Sequence, residues 1–259
     1  MPFGAVSLIF YCHRQIRSYY TELNRIAFLP VDAVLDFLYH GVAPKFSFEC
    51  GEKLKTGGGF MDRSNTSIEQ LFAHEGPIIR SKRLKLHGYD SRAIQSMLST
   101  NTLIRLKDGY YTMQDILPDL TDAQIAVSTI PDAVLYFLSA ASFHGLITAI
   151  PTTVHVAVPN KGVMPTKPKF PPVDITRLIP RIHGLGKIVE PTEPLPIACY
   201  DRERTICDLA RRWEEIGKDL LIEAIRTYLQ GSRNLQQLYA YAQDLRVREV
   251  IHPYLEAMA

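Results

Sequence analysis

The chain has little of what would make its chemistry easy to read. Its four cysteines, Cys12, Cys50, Cys199 and Cys207, form no CxxC pair and belong to no His/Cys set at zinc-ligand spacing. Scattered thiols of this kind argue against a disulfide scaffold and fit a reducing cytoplasm. No uncharged apolar run approaches the length that spans a bilayer. The opening "MPFGAVSLIFYCHRQIR" is mildly apolar, but no basic stretch precedes the run and no small-residue cleavage site follows it. A cytoplasmic location without a membrane partner is therefore expected. There is no G-x-S-x-G, no Walker loop and no Cys–His pairing with a recognisable local signature, which argues against the common hydrolase and nucleotide-binding chemistries. The net charge is only +2, so a charged partner has to be sought in local clusters.

What is there is an ordinary globular composition, 46% hydrophobic and 22% charged over 259 residues. That length allows one large domain or two small ones with real cores. Residues 1–60 read poorly as a domain: helix-length pieces occur, but nothing continues them into a closed core. The segment ends in "KLKTGGGFMDRSN", which is either a glycine linker or a trace of the gene. Three glycine codons read GGN-GGN-GGN and can contain GGAGG just upstream of the Met61 codon, where a bacterial ribosome-binding site belongs. On the second reading Met61 is the start and residues 1–60 are translated leader.

From Met61 the pattern sharpens. "NTSIEQLFAHEG" sets Ile68, Leu71 and Phe72 on one helical face, with a Ser or Thr cap and Gly76 as a stop. "PII" is short and extended. "RSKRLKLHG" predicts a second helix capped by Ser81 and burying Leu84, and "YDSRAIQSMLS" a third, capped by Asp90, with Ile94, Met97 and Leu98 inward. "LIRLKDGYYTM" alternates across a Lys-Asp-Gly turn, a hairpin signal. Three short helices and a hairpin are the element order of a winged helix-turn-helix over residues 61–115, whose third helix enters the DNA major groove. Between Gly76 and Met113 seven Lys/Arg face only Asp90 and Asp108, a local excess of five and an electrostatic footprint for phosphates. Candidate DNA-binding residues are Ser91, Arg92, Gln95 and Ser96 on the third helix, Lys82 and Arg83 on the second, and Arg105 and Lys107 at the wing. Arg92 and Gln95 have the chemistry that reads guanine and adenine edges, and Arg105 and Lys107 suit phosphates. The alternative for this module is protein docking with a merely solvated basic face.

The remainder, residues 125–259, reads as a mixed α/β domain with a C-terminal helical bundle, so the whole is α+β. After a polar connector, "QDILPDLTDAQ", Pro131 is expected at a helix N1 position, with buried helix up to Gly145. "TTVHVAVP", "VDITRLI" and "LPIACY" read as strands. His144 and His155 lack neighbours at metal spacing and read as structural, so no metal and no cofactor is expected. From Ser139 to Lys187 six Lys/Arg face one acid, Asp174, a basic stretch that is an extension of a nucleic-acid surface, a face for an acidic partner or only a solvated loop. The tail holds "KDLLIEAIRTYL", "NLQQLYAYAQDL" and "VREVIHPYLEAM", three amphipathic helices.

The densest charge lies in "YDRERTICDLARR". As a helix from Asp201 it sets Ile206, Leu209, Ala210 and Trp213 on an apolar face and Arg204, Asp208 and Arg212 at i, i+4, i+8 on the opposite side. Asp201 and Glu203 sit in the first turn, where the helix dipole favours negative charge. A metal-dependent nuclease would need a further carboxylate and usually a lysine converging from neighbouring strands, and no strand-like Glu-x-Lys follows a suitable Asp. The stretch therefore reads as a paired helix start, and Arg202, Glu203, Arg204 and Asp208 as a structural or docking cluster rather than a catalytic one.

With "LIRLKDGYY", "SAASFHGL", "VHVAVP", "YDRERTICDL" and the tail through "YAQDLRVREVIHPYLEAM", the chain from about Thr66 onward resembles the AbiEi family, antitoxins of type IV toxin–antitoxin systems. The resemblance implies a winged helix that binds promoter inverted repeats as an autorepressor. It implies a C-terminal domain that neutralises a nucleotidyltransferase toxin without a stable complex being required, and a protein that is not an enzyme. By position Ser91, Arg92, Gln95 and Ser96 match the family's recognition-helix surface and Arg105 and Lys107 its wing, while the block Arg202 to Asp208 matches a motif of structural or antitoxic role. The first sixty residues have no counterpart in the family pattern. The reading from a different class is a nucleic-acid-processing enzyme whose C-terminal domain is nuclease-like.

Overall fold

The computed structural model describes residues 67–258. The N-terminal segment 1–60 and the Met61 start lie outside the described residues. Helix α1 (Ile68–Glu75) opens with a capping box: the Ser67 hydroxyl accepts from the Gln70 N–H, and the Gln70 side chain accepts from the Ser67 N–H. It stops at Gly76, whose φ of 102° only glycine adopts at little cost. Next come β1 (Ile79–Arg80), α2 (Ser81–Leu86), α3 (Ser91–Ser99), β2 (Leu103–Lys107) and β3 (Tyr110–Met113). The three strands form an antiparallel sheet in the order β1-β3-β2. Asp90 caps α3 as its position predicts, accepting from the Ala93 N–H at 2.7 Å. Ser81 does not cap α2. Pairing of Arg80 with Tyr110 holds Arg80 extended in the cap position, and Ser81 is the first helical residue. Leu71, Phe72, Leu84, Ile94 and Leu103 close the core of this module.

The segment read as a polar connector is ordered. It contains a 3₁₀ turn (Leu117–Asp119) and helix α4 (Asp122–Thr129), which Thr121 and Gln124 cap reciprocally. Gln124 is buried, and its amide donates to the carbonyls of Glu193 and Leu195. Leu106 of β2, Leu120 and Ile125 of α4 form a small shared core, and the described residues belong to one compact unit.

The second sheet has five strands, β4 (Val134–Leu135), β5 (Val154–Pro159), β6 (Val173–Leu178), β7 (Lys187–Glu190) and β8 (Ile197–Tyr200), in the order β6-β5-β4-β8-β7. Pairing is parallel for β5–β6 and β4–β8 and antiparallel for β4–β5 and β7–β8. Pro131 is not at a helix N1. It enters a turn with Asp132 at φ 57°, because Val134 and Leu135 are taken into the middle of the sheet, and only then does α5 (Phe137–Phe143) begin. A short helix α6 (Pro180–His183) follows β6. After β8 the chain is helical: α7 (Arg202–Arg211), α8 (Trp213–Ile216), α9 (Lys218–Gln230), α10 (Leu235–Asp244) and α11 (Arg248–Met258). The architecture is mixed α/β, two sheets followed by C-terminal helices. Helix α7 lies in the largest core, where Ile206, Leu209 and Ala210 meet Leu221, Ile225, Leu238 and Ile251 of the later helices. Among the described residues no helix is long and apolar enough to cross a membrane.

Candidate functional site

Two charged regions dominate the molecule, one turned outward and one inward. The outward one is built on α3. Its apolar residues fall at helical spacing, so Ile94 is buried and Met97 and Leu98 pack beside it, while Ser91, Arg92, Gln95, Ser96 and Ser99 are exposed together. Lys82 and Lys85 are exposed on α2. The Arg80 guanidinium lies over the Tyr110 ring at 5.1 Å, which fixes it beside the hairpin.

Three sequence-predicted cations are otherwise engaged. Arg83 forks onto Glu75 at 2.8 and 2.5 Å, and His87 Nε2 lies 3.4 Å from the same carboxylate. The Arg83 hydrogen bond holds the Glu75 carboxyl below its usual range. Arg105 sits over the Tyr111 ring and 3.9 Å from Asp108. Lys107 is largely closed off from solvent. It is 7% exposed, and its ammonium donates to the Thr129 carbonyl at 3.0 Å, closing the seam between the hairpin and α4. Burial lowers its pKa. The reason is a register shift between Arg105 and Lys107, which breaks strict alternation and turns Leu106 and Lys107 both inward. Lys107 is thus corrected from a phosphate contact to a structural tie.

The inward region is centred on α7. Asp201 caps it, accepting from the Arg204 N–H at 2.7 Å and from the Tyr241 hydroxyl at 2.9 Å. Glu203 accepts from the Tyr228 hydroxyl and from the Asn234 N–H, both at 3.0 Å. The pairing of Arg204 with Asp208 is as the spacing predicts, Nε to Oδ2 at 3.0 Å, but its place is not: the two side chains are 0% and 1% exposed. Arg204 also donates to the carbonyls of Ile182 and Leu185 at 2.8 Å each, and its guanidinium lies 4.4 Å from the centre of the Tyr200 ring. Tyr200 lies just before α7, but the two carbonyls come from α6 and the turn after it, about twenty residues earlier, so spacing along α7 gave no signal of them. Gly186 makes the approach possible: its φ is +70°, and a Cβ there would lie 2.8 Å from the Cβ of Arg204. Arg212 leaves this row and pairs instead with Glu215 over the Phe137 ring.

Burial pushes the Asp208 carboxyl up to about 6, with the Arg204 charge opposing the rise. Burial likewise pushes Cys199 up to about 12 and raises Cys207 strongly, which makes both thiols inert. His144 donates its Nε2–H to the Tyr200 carbonyl (2.6 Å), and His155 packs edge-on to Phe137 with its pKa lowered by burial. Among the described residues no group of three or more His, Cys, Asp or Glu could hold a metal ion. The carboxylates of the α7 block are committed to helix capping, tyrosine hydroxyls and a buried arginine, and chemically they hold three segments of chain together.

No known family profile matches the chain, and no curated protein is significantly similar to it.

Proposed function

We propose that the chain is a sequence-specific DNA-binding protein whose module at residues 67–113 is a winged helix, and that it acts as autorepressor and antitoxin in the manner its resemblance to the AbiEi family implies. The observation that carries the DNA reading is the exposed face of α3, on which Arg92, Gln95 and Ser96 stand together beside the exposed Lys82 and Lys85 of α2. A helix presenting arginine and glutamine over a two-helix base, backed by a three-stranded antiparallel sheet, fits a major groove with side chains of base-reading chemistry. Arg80 at the sheet edge suits a phosphate. The inward α7 block supports a C-terminal domain that works as a rigid body rather than by chemistry of its own carboxylates. The neutralised partner is a nucleotidyltransferase toxin on this reading.

The test is fluorescence anisotropy of the full chain on duplexes from the region upstream of its own gene. Tight binding to a fragment containing inverted repeats, at least a hundredfold over scrambled DNA, is the expected result. Equal affinity for both would sink the repressor role. Growth rescue of cells expressing the neighbouring gene tests the antitoxin role separately.

A further inference from the structure

A surface outside both charged regions carries its own complement. A groove of about 430 Å³ opens between the start of α4, α5 and the segments at 150–154 and 192–197. Leu135, Phe143, Val154 and Ile197 contribute apolar lining, and its edge carries the exposed carboxylates Asp122 and Glu193. Ile150 stands on the groove 87% exposed.

The long β5–β6 connection has the opposite character. It exposes Val163 (93%) and Phe170 (61%) among the exposed lysines Lys161, Lys167 and Lys169, with no acidic residue between Ser139 and Val173. Its end is anchored: the Lys169 N–H donates to the Leu106 carbonyl, and the Pro172 carbonyl accepts from the N–H of Val154, itself a groove residue. The basic apolar loop and the acid-edged apolar groove therefore adjoin at one end of the sheet. Isolated apolar residues on a surface need no explanation, but several gathered beside an apolar groove do.

We propose that this end of the sheet is a self-association surface, on which the loop of one copy, through Phe170 and Lys169, lies against the groove of a second copy, at Ile150 and Glu193. A two-fold axis across a patch that is basic on one side and acidic on the other creates the complementary contact twice. The proposal does not depend on DNA binding.

Sedimentation of the full chain without DNA is the first measurement, and a concentration-dependent dimer is expected. Phe170→Asp should weaken the dimer at least tenfold. Lys169→Glu or Glu193→Lys alone should weaken it, and the two together should restore it. All are exposed positions, so unchanged thermal melts keep a folding defect from imitating the result. An equimolar mixture of ¹⁴N- and ¹⁵N-labelled chain, treated with a carbodiimide that joins ammonium to carboxylate, should yield Lys167 or Lys169 bonded to Asp122 or Glu193 in mixed-isotope pairs. Sedimentation as a monomer at all concentrations overturns the proposal. So do cross-links confined to one isotope, which would show that the loop lies against the groove of its own chain.

Discussion

Arg92 and Arg204 are the same residue in two helices of nearly equal length, and they do opposite work. Arg92 projects from α3 into solvent, and among the described residues it forms no hydrogen bond or ion pair. Arg204 projects from α7 into a core where a carboxylate, two carbonyls and an aromatic ring receive it. A guanidinium in water is free for a partner. A guanidinium without water is a structural cost that the protein around it must offset, and here the offset is incomplete, because Arg204 Nη2 and Asp208 Oδ1 are buried without a hydrogen-bond partner. Charge density along a sequence therefore measures neither function nor stability until burial is known.

The comparison breaks most visibly at Arg204. Arg204→Ala should cost about 3–5 kcal/mol in urea unfolding, because it leaves buried acceptors without a donor and a cavity beside Tyr200. Arg204→Lys should not rescue it, since one ammonium cannot span Asp208 and both carbonyls. A loss below 1 kcal/mol would mean that the network contributes little. Asp208→Asn is the milder change, because an amide oxygen still accepts from Nε. It also has a pH signature. The folded-state pKa of about 6 lies above the ordinary 3.8, so protonation favours the folded form. Its stabilising contribution is complete below about 4 and is lost as pH rises through about 6. The wild type should therefore gain stability relative to Asp208→Asn on acidification across that window, and parallel pH profiles of the two proteins would refute the assignment.

Gly186→Ala probes the same core from the neighbouring turn. The added methyl meets the Cβ of Arg204, in a helix that cannot retreat, and the +70° φ is strained for alanine. A loss of about 1–3 kcal/mol is expected in thermal or urea unfolding. Gly76→Ala supplies the control, because a Cβ there meets nothing within 4 Å and only the backbone strain remains.

How much of this the sequence disclosed depends on how local the cause was. The three helices of the 67–113 module and α9, α10 and α11 of the tail were legible, because apolar spacing, the Asp90 cap and the Lys107-Asp108-Gly109 turn act within a few residues, whereas Trp213, expected on the apolar face of α7, begins the separate helix α8. The capping pattern Thr121-x-x-Gln124 was equally local, yet it passed as connector because polar residues surround it. β4 was not legible: Val134 and Leu135 become strand only because β5 and β8 lie on either side of them. The same holds for the site. Exposure of Arg92 and Gln95 followed from the position of Ile94, whereas burial of Lys107 needed a register shift and Thr129, and burial of Arg204 needed Ile182, Leu185 and Gly186.

On the outward side the effect falls on binding and leaves the fold alone. Arg92→Ala should change stability by less than about 0.5 kcal/mol. It should cost about 1–3 kcal/mol in affinity for a specific duplex. Equal losses on specific and scrambled DNA would remove its base-reading role.

The finest test sets Lys82 against Lys107, two lysines that composition alone treats alike. Lys82 is exposed beside α3, and if it neutralises a phosphate, Lys82→Ala should flatten the slope of log affinity against log salt by about 1. Lys107 is buried and bonded to Thr129, so Lys107→Ala should leave that slope unchanged and instead lower the unfolding midpoint, by the loss of a buried hydrogen bond and the packing of its stem. A salt slope altered equally by both would place Lys107 at the DNA after all. An unchanged slope in both would move the phosphate contacts elsewhere on the module, with Arg80 and Lys85 the next to be changed.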